Sequence, residues 1–175
     1  MSKIYCNVSD FSKIQIHSGD EVHLSGTIYT ARDAAHKKIV ELITKGEPLP
    51  FDLNGAIIYY AGPTETPPGQ VIGSCGPTTS SRMDAFAPIL LDKGLRGMIG
   101  KGQRSKEVID AIVRNKAVYL CAVGGAGAYI ASCITSCEVV AFPELGCESV
   151  KKLTVKDMPT FCAVDSLGNN IFKRV

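Results

Sequence analysis

The sequence lacks a hydrophobic run long enough to cross a membrane. Its longest weakly apolar stretch, residues 119–134, is short and rich in glycine and alanine. Residues 1–11 also lack the apolar segment that is typical of a secretion signal. We therefore expect a soluble, cytoplasmic protein with no membrane partner.

The sequence also lacks a marked excess of charge of either sign. Its 19 Lys and Arg residues nearly balance its 17 Asp and Glu residues, which leaves a formal net charge of +2. No basic run with interleaved aromatic residues is present, so we expect no nucleic-acid partner. A chain of 175 residues that is 45% hydrophobic is long enough to build its own core, and we expect residues 1–175 to form a single domain.

Paired cysteine spacing is missing as well. The number of cysteines, seven, is odd, and this argues against a disulfide framework. Cys133 and Cys137 form the only close pair, and no histidine lies near them in the sequence. We therefore expect this chain alone to hold no metal ion or iron–sulfur cluster, and we interpret its cysteines as buried free thiols.

What the sequence does contain is an alternation of strand and helix patterns. The first thirty residues have the character of strands, most clearly over 21–29. Thr30 is expected to cap a helix with Ala35 and Ile39 on its apolar face, and Gly46 is expected to end that helix. A buried strand over 55–60 and a proline-rich loop over 61–70 follow.

The second half of the chain continues the alternation. We expect a helix from Thr78 to about Lys93 with a kink at Pro88. Further strands are expected at 95–99, 117–123 and 139–142, helices at 106–115 and 128–135, and a closing hairpin of 161–164 with 170–173. This order predicts an α/β fold of the β/β/α type, in which helices flank a mixed, partly parallel sheet.

One segment combines glycine, hydroxyl and charged residues in a way that favours anion binding. Gly76-Pro77 predicts a tight turn, and Thr78 and Thr79 stand where a helix would begin. Unpaired N–H groups at such a point attract anions. Arg82, one turn later, adds a planar group that suits a carboxylate. The segment therefore predicts a site for a small anionic substrate.

Two further places carry residues suited to such a site. Lys101 lies between two glycines directly after a predicted strand, where the backbone can approach a ligand closely, although a solvated surface turn is the alternative. Arg32 and His36 are four residues apart near the start of a helix and share one face. Histidine suits proton transfer near neutral pH, but an exposed helix face capped by Asp33 explains the same spacing.

Five strings carry a resemblance to a known family: TARDAAHKK (30–38), LNGAIIYYAGP (53–63), GPTTSSRMD (76–84), IGKGQRS (99–105) and VDSLGNNIF (164–172). Together they resemble the β subunit, or C-terminal domain, of iron–sulfur-dependent class I fumarases and L-tartrate dehydratases. The resemblance implies a swivelling β/β/α domain that closes over a [4Fe–4S] cluster. It also implies that a larger α subunit holds this cluster through three cysteines, in an α2β2 heterotetramer.

The resemblance assigns a role to each residue singled out above. His36 and Thr78 are the two candidates for the acid/base step, and the residues themselves leave the choice open. The residues that would bind a C4 dicarboxylate substrate are Arg32, Thr78, Thr79, Arg82 and Lys101.

Two short strings bear on the substrate. RMD at 82–84 and GQRS at 102–105 resemble the fumarase branch, which interconverts L-malate and fumarate, whereas tartrate dehydratases tend toward RME and GKGGMG. We therefore expect a fumarase β subunit that is inactive without its α partner. An L-tartrate dehydratase β subunit and a non-catalytic carboxylate-binding module are the alternatives.

Overall fold

The computed structural model describes residues 2–173, which form a seven-stranded mixed sheet flanked by helices. The predicted α/β class is confirmed at this level. The strands are β1 (Lys3–Asn7), β2 (Glu21–Thr30), β3 (Ile57–Tyr59), β4 (Gly97–Gly100), β5 (Val118–Cys121), β6 (Ile134–Ala141) and β7 (Val150–Val164). The α-helices are α1 (Asp33–Lys45), α2 (Ala87–Asp92), α3 (Lys106–Asn115) and α4 (Gly127–Ser132), and short 3-10 helices span Val8–Lys13, Ser80–Met83 and Pro143–Glu148.

The strand order is β1-β2-β3-β4-β5-β7-β6, and neighbours from β1 to β5 are parallel. Strand β7 runs antiparallel and pairs with both β2 and β5, since Phe161 lies opposite Glu21 on one side and Cys121 on the other. These pairings close β2, β3, β4, β5 and β7 into a ring. The carboxyl ends of β2 to β5 therefore meet at one rim, where α/β proteins bind their ligands.

The core consists of two clusters of buried side chains, one on each face of the strands. One cluster packs the strands against α1, α2 and α3, and it includes Ile39, Ile58, Leu90, Met98 and Ile112. The other lies inside the ring of strands and includes Val22, Leu24, Tyr59, Leu120 and Leu153. Among the helices in the part of the chain that the structure describes, none is long and apolar enough to span a bilayer.

The elements with the clearest local patterns lie where the sequence predicts them. Gly46 ends α1 in the left-handed conformation, and its N–H donates to the Ile43 carbonyl at 3.1 Å. Ser105 caps α3, and its hydroxyl accepts a hydrogen bond from the Val108 N–H at 3.4 Å. These caps fix the ends of the two helices that flank the rim.

Thr30 is not the helix cap that the sequence predicts. Arg32 occupies the N-cap position of α1, and the Thr30 hydroxyl instead donates to the Ser149 carbonyl at 3.4 Å. It also accepts a hydrogen bond from the Lys151 N–H at 3.1 Å. The expectation was wrong because strand β2 continues through Thr30, which places that hydroxyl beside β7.

The prediction of one helix from Thr78 to Lys93 is also wrong. The chain forms the 3-10 helix Ser80–Met83, a turn, and then α2 from Ala87 to Asp92. Pro88 lies in the first turn of α2, where its missing N–H costs no internal hydrogen bond, whereas in a continuous helix it would break one.

Two terminal predictions were wrong as well. Residues 8–13 form a 3-10 helix rather than a strand. At the other end, β7 contains residues 161–164, but residues 170–173 contribute only an isolated bridge between Asn170 and Val164. Most of β7 was not predicted, because residues 150–160 mix lysines, Asp157 and Pro159 with the apolar positions.

Candidate active site

The residues predicted to bind substrate lie beyond the carboxyl ends of three neighbouring parallel strands. Arg32 follows β2, Thr78 lies in the loop after β3, and Lys101 directly follows β4. Backbone hydrogen bonds continue across the rim past the strand ends. The Tyr60 N–H donates to the Ile99 carbonyl at 2.8 Å, and the Thr78 N–H donates to the Tyr60 carbonyl at 2.7 Å. The rim is therefore a connected backbone surface.

The Thr78 segment and the Lys101 turn are bonded to each other. Thr79 and Lys101 form a parallel bridge, and the Ser80 N–H donates to the Lys101 carbonyl at 2.9 Å. The buried Ser80 hydroxyl accepts a hydrogen bond from the Lys101 N–H at 3.0 Å. Gly100 is required here, because a Cβ at that position would collide with the Ser80 hydroxyl. The side chains of Thr79 and Lys101 remain exposed at the rim.

Arg82 and Arg32 approach each other through the carboxylate of Asp33. The Arg82 Nε donates to Asp33 Oδ1 at 3.0 Å, while the Arg32 Nε lies 4.0 Å from Asp33 Oδ2. The Arg32 Nε also lies 3.6 Å from Glu148 Oε1. The Arg32 Nε and these two carboxylate oxygens are buried and have no hydrogen-bond partner among the residues that the structure describes. Within the described chain, the arrangement leaves the Arg32 Nε–H without an acceptor, beside two carboxylate oxygens that also lack a partner.

His36 is fully buried, so the alternative of an exposed helix face is wrong. Its Nδ1 lies 2.8 Å from the Arg32 carbonyl, which only accepts hydrogen bonds, so Nδ1 carries the proton. Its Nε2 is buried and has no partner among residues 2–173. The rings of Tyr60 and Phe86 pack against the imidazole, at centroid distances of 5.3 and 5.9 Å.

The surroundings of His36 also determine its charge. Burial lowers the pKa of His36 from 6.5 to about 4, and the positive charge of Arg104 acts in the same direction. The imidazole is therefore neutral at pH 7. The expected titration near neutrality is absent from the free chain, and in this conformation the side chain has no exposed surface toward a ligand.

A loop that the sequence reasoning did not single out completes the surroundings of Arg32. The loop consists of the 3-10 helix Pro143–Glu148, which ends at Glu148. Hydrogen bonds from the Lys151 side chain attach it to β7. The Lys151 ammonium donates to the Gly146 and Cys147 carbonyls at 3.2 and 3.1 Å and to the Ser149 hydroxyl at 2.7 Å. Burial lowers the pKa of Lys151. A lysine in a charged run gives no local signal of this role.

The seven cysteines differ in their environments. Cys6, Cys75 and Cys162 are buried, as predicted, and burial raises the pKa of the Cys75 thiol to about 12. Cys147 is exposed, so the interpretation of all seven as buried thiols was wrong. Within residues 2–173, no three His, Cys, Asp or Glu side chains converge in a way that could hold a metal ion.

The fold and the site define a mixed α/β domain that presents two arginines and a lysine at one rim, a set of cations suited to a small carboxylate ligand. The chain belongs to the family described as Fumarase C-terminus, whose sequence model matches residues 7–175. The resemblance found in the sequence is thereby confirmed.

Individual relatives fall into two groups by length. The chain is 44% identical over 158 residues to Fumarate hydratase 2 of Leishmania major, which covers 89% of this chain and 28% of the relative. It is 44% identical over 154 residues to the anaerobic class I fumarate hydratase of Escherichia coli K12. The match covers 87% of this chain and 28% of the relative. A protein of Methanocaldococcus jannaschii named for L(+)-tartrate dehydratase subunit beta is 41% identical over 172 residues. The match covers 95% of this chain and 87% of the relative. The chain therefore spans about 28% of the length of these two fumarate hydratases.

Proposed function

We propose that this chain is the β subunit of an iron–sulfur hydro-lyase that interconverts L-malate and fumarate. In this proposal residues 1–175 act as one swivelling domain that closes over a cluster-bearing α subunit, in an α2β2 assembly in the cytoplasm. The observation that carries the proposal is the presence of Arg32, Arg82 and Lys101 at one rim of a Fumarase C-terminus domain. The likeness to a relative named as a subunit beta supports a multi-subunit enzyme.

The three cations are enough to pair with both carboxylates of a C4 dicarboxylate. Arg82 and Lys101 have exposed side chains, and Arg32 is partly exposed, so a carboxylate can reach each of them. The present partner of Arg82 is Asp33, in a pair whose side chains are 53% and 33% exposed. Such a pair contributes about 0–1 kcal/mol, which a charge-assisted bond to substrate can replace. Thr79, exposed beside Lys101, offers a hydroxyl to the same ligand.

Thr78 and His36 remain the candidates for the acid/base step, and accessibility favours Thr78. Thr78 is half-buried in the rim loop, whereas Tyr60 and Phe86 enclose His36. A threonine hydroxyl has too high a pKa to remove the C3 proton unaided, so the proposal includes an acidic neighbour on the α subunit. His36 would then act by holding the Arg32 backbone through its Nδ1–H.

The [4Fe–4S] cluster belongs to the α subunit in this proposal, and the residues described in this chain offer it no ligand set. When bound, such a cluster supplies an open iron as a Lewis acid for the C2 hydroxyl. The part of this chain is to bind both carboxylates, to orient the substrate between them and to relay the C3 proton. In that relay the Thr78 oxygen takes the C3 proton while its own hydroxyl proton passes to the carboxylate of the α subunit.

The choice of malate over tartrate rests on residue 84 and residues 103–105, where RMD and GQRS differ from RME and GKGGMG. The differing positions include Asp84 and Arg104. These two residues form an ion pair, with Arg104 Nε 2.7 Å from Asp84 Oδ1. A tartrate dehydratase β subunit is the second candidate, because the Methanocaldococcus relative matches 95% of this chain. A non-catalytic carboxylate-binding module is the third.

Reconstitution tests the proposal directly. The purified chain alone is expected to show no malate–fumarate interconversion. Addition of an α subunit with three cluster cysteines, reconstituted with iron and sulfide without oxygen, is expected to restore it. The reconstituted α subunit without this chain serves as the control for activity of the α subunit alone. Robust turnover by the isolated, metal-free chain, or no turnover by the complete mixture, contradicts the proposal.

A further inference from the structure

Two of the proposed substrate cations lie on separate segments that a buried ion pair connects. Arg82 belongs to the 3-10 helix Ser80–Met83, and Lys101 lies in the turn after β4. Asp84 ends the first segment, and Arg104 ends the second. The Arg104 Nε donates to Asp84 Oδ1 at 2.7 Å, and the Ser105 N–H donates to Asp84 Oδ2, also at 2.7 Å. Both carboxylate oxygens of Asp84, at the end of the first segment, therefore bind groups of the second segment.

The Arg104 guanidinium is enclosed on all sides. Its side chain has 0% exposure, and its plane lies over the rings of Tyr60 and Tyr119, at 5.2 and 4.9 Å from their centroids. One terminal nitrogen lies 3.3 Å from the Tyr60 hydroxyl, and the other lies 3.5 Å from the Met98 sulfur. An arginine enclosed in this way cannot contact a substrate at the rim, so any effect it has must act through other residues.

A second set of bonds holds the Lys101 turn from the opposite side. The Tyr119 hydroxyl donates to the Gly102 carbonyl at 2.8 Å and lies 2.9 Å from the Ser80 hydroxyl. Because the single tyrosine proton goes to the carbonyl, Ser80 donates its proton to Tyr119. Ser80 in turn accepts the Lys101 N–H. Buried, satisfied networks of this kind rigidify the segments they join.

We propose that Asp84 and Arg104 are positioning residues that fix the separation of Arg82 from Lys101 and thereby select dicarboxylates by length. The identity of the ligand in this inference rests on the proposed function, whereas the connection between the segments does not. A rigid spacing matters because a displacement of about 1 Å in a binding group costs up to about a hundredfold in rate.

The chain contains a matched control for this pair. Asp92 and Arg114 also form an arginine–carboxylate pair, at 2.8 Å, between α2 and α3. These helices follow Asp84 and Arg104 in the sequence, and the control pair joins them at their far ends. Both of its side chains are 49% exposed. Asp84→Asn and Asp92→Asn therefore each remove the carboxylate of an arginine pair, the first near the rim and the second far from it.

The first measurement is hydrogen exchange in the full-length chain without a partner. Asp84→Asn is expected to speed exchange at the amides of Lys101 and Ser105 by about tenfold or more, with the α1 amides still protected. Asp92→Asn is expected to leave these two amides unchanged. If Asp84→Asn does not fold, Tyr119→Phe replaces it, because that change removes only the hydroxyl bonds to Gly102 in the same turn and to Ser80 in the other segment.

The second measurement compares competitive inhibition by succinate and glutarate, dicarboxylates of four and five carbons, in the reconstituted complex. The wild-type complex is expected to prefer succinate, and Asp84→Asn is expected to reduce this preference by about fivefold or more while raising KM for malate more than it lowers kcat. Met158→Ala, in the other core cluster, provides a destabilised variant that should retain the preference.

The outcomes separate the two proposals. Unchanged exchange at Lys101 in Asp84→Asn, or an unchanged inhibitor preference in a variant that has only lost stability, overturns the positioning role. A wild-type complex that neither turns over malate nor binds succinate overturns the proposed function. In that case the exchange measurement still decides whether the pair fixes the turn.

Discussion

Asp33 accepts a hydrogen bond from Arg82 at 3.0 Å, across 49 positions of sequence. The contact joins the first turn of α1 to the 3-10 helix Ser80–Met83. It also places one carboxylate between Arg82 and Arg32, the two arginines proposed to bind substrate. Asp33 is favoured at the start of a helix by the helix dipole, so the residue that begins α1 also lies beside both arginines.

Loss of a proposed substrate cation should weaken catalysis much more than stability. Arg82→Ala and Lys101→Ala each remove a charge-assisted bond to a carboxylate, worth about 1.5–3 kcal/mol. We expect kcat/KM of the reconstituted complex to fall by about tenfold to 150-fold. The melting temperature should change little, because Arg82 contributes only an exposed ion pair.

The control for these variants is Lys152→Ala, which removes an exposed lysine from β7. It is expected to change neither kcat/KM nor the melting temperature. Full activity together with a large loss of stability in Arg82→Ala and Lys101→Ala would make both residues structural instead.

His36 should make the stability of the chain depend on pH below neutrality. Its pKa is about 4 in the folded chain against an ordinary value of 6.5. Between pH 4 and pH 6.5 the unfolded chain therefore binds a proton at His36 that the folded chain does not bind. The contribution of His36 is complete above pH 6.5 and is lost as the pH falls toward 4. The total change is about 3 kcal/mol in the free energy of unfolding.

Urea unfolding of His36→Asn and wild type at several pH values between 4 and 7 measures this contribution. The difference in unfolding free energy between the two proteins should shrink as the pH falls. Phe86→Leu, which alters the same pocket without changing a titratable group, should keep the wild-type slope. A constant difference between wild type and His36→Asn across the range would contradict a depressed pKa.

Lys151 should be important for stability although its neighbour Lys152 is not. Lys151→Met leaves the Gly146 and Cys147 carbonyls and the Ser149 hydroxyl without their ammonium donor. We expect a loss of about 1–3 kcal/mol in the free energy of unfolding, measured by urea denaturation. Faster hydrogen exchange should appear at residues 146–149. Equal stability of Lys151→Met and Lys152→Ala would show that the ammonium is dispensable.

The substrate choice can be measured in the reconstituted complex with L-malate and L-tartrate. Tartrate carries a second hydroxyl at C3, and a pocket without a partner for that hydroxyl leaves it unpaired. We expect kcat/KM for malate to exceed that for tartrate by at least about tenfold. Equal or faster turnover of tartrate would overturn the fumarase assignment and leave the family assignment intact.

The parts of the fold that could be predicted from the sequence depend on neighbouring residues. Alternating apolar positions identify β2, Gly46 ends α1, and Ser105 begins α3, because periodicity and caps act over one or two turns. Most of β7 could not be predicted, since its stability comes from β2, β5 and β6, which pair along its two edges.

By itself, the sequence determined the family and the α/β class, and it predicted Arg32, Arg82 and Lys101 as substrate-binding residues. These inferences depend on residue types at short spacings. Only the tertiary structure decided which side chains are buried and which distant residues are in contact. It buried His36 under Tyr60 and Phe86 and thereby lowered its pKa. It also paired Asp84 with Arg104, 20 residues away. This burial and this long-range contact arise from the packing of helices and loops against the sheet, which local sequence does not encode.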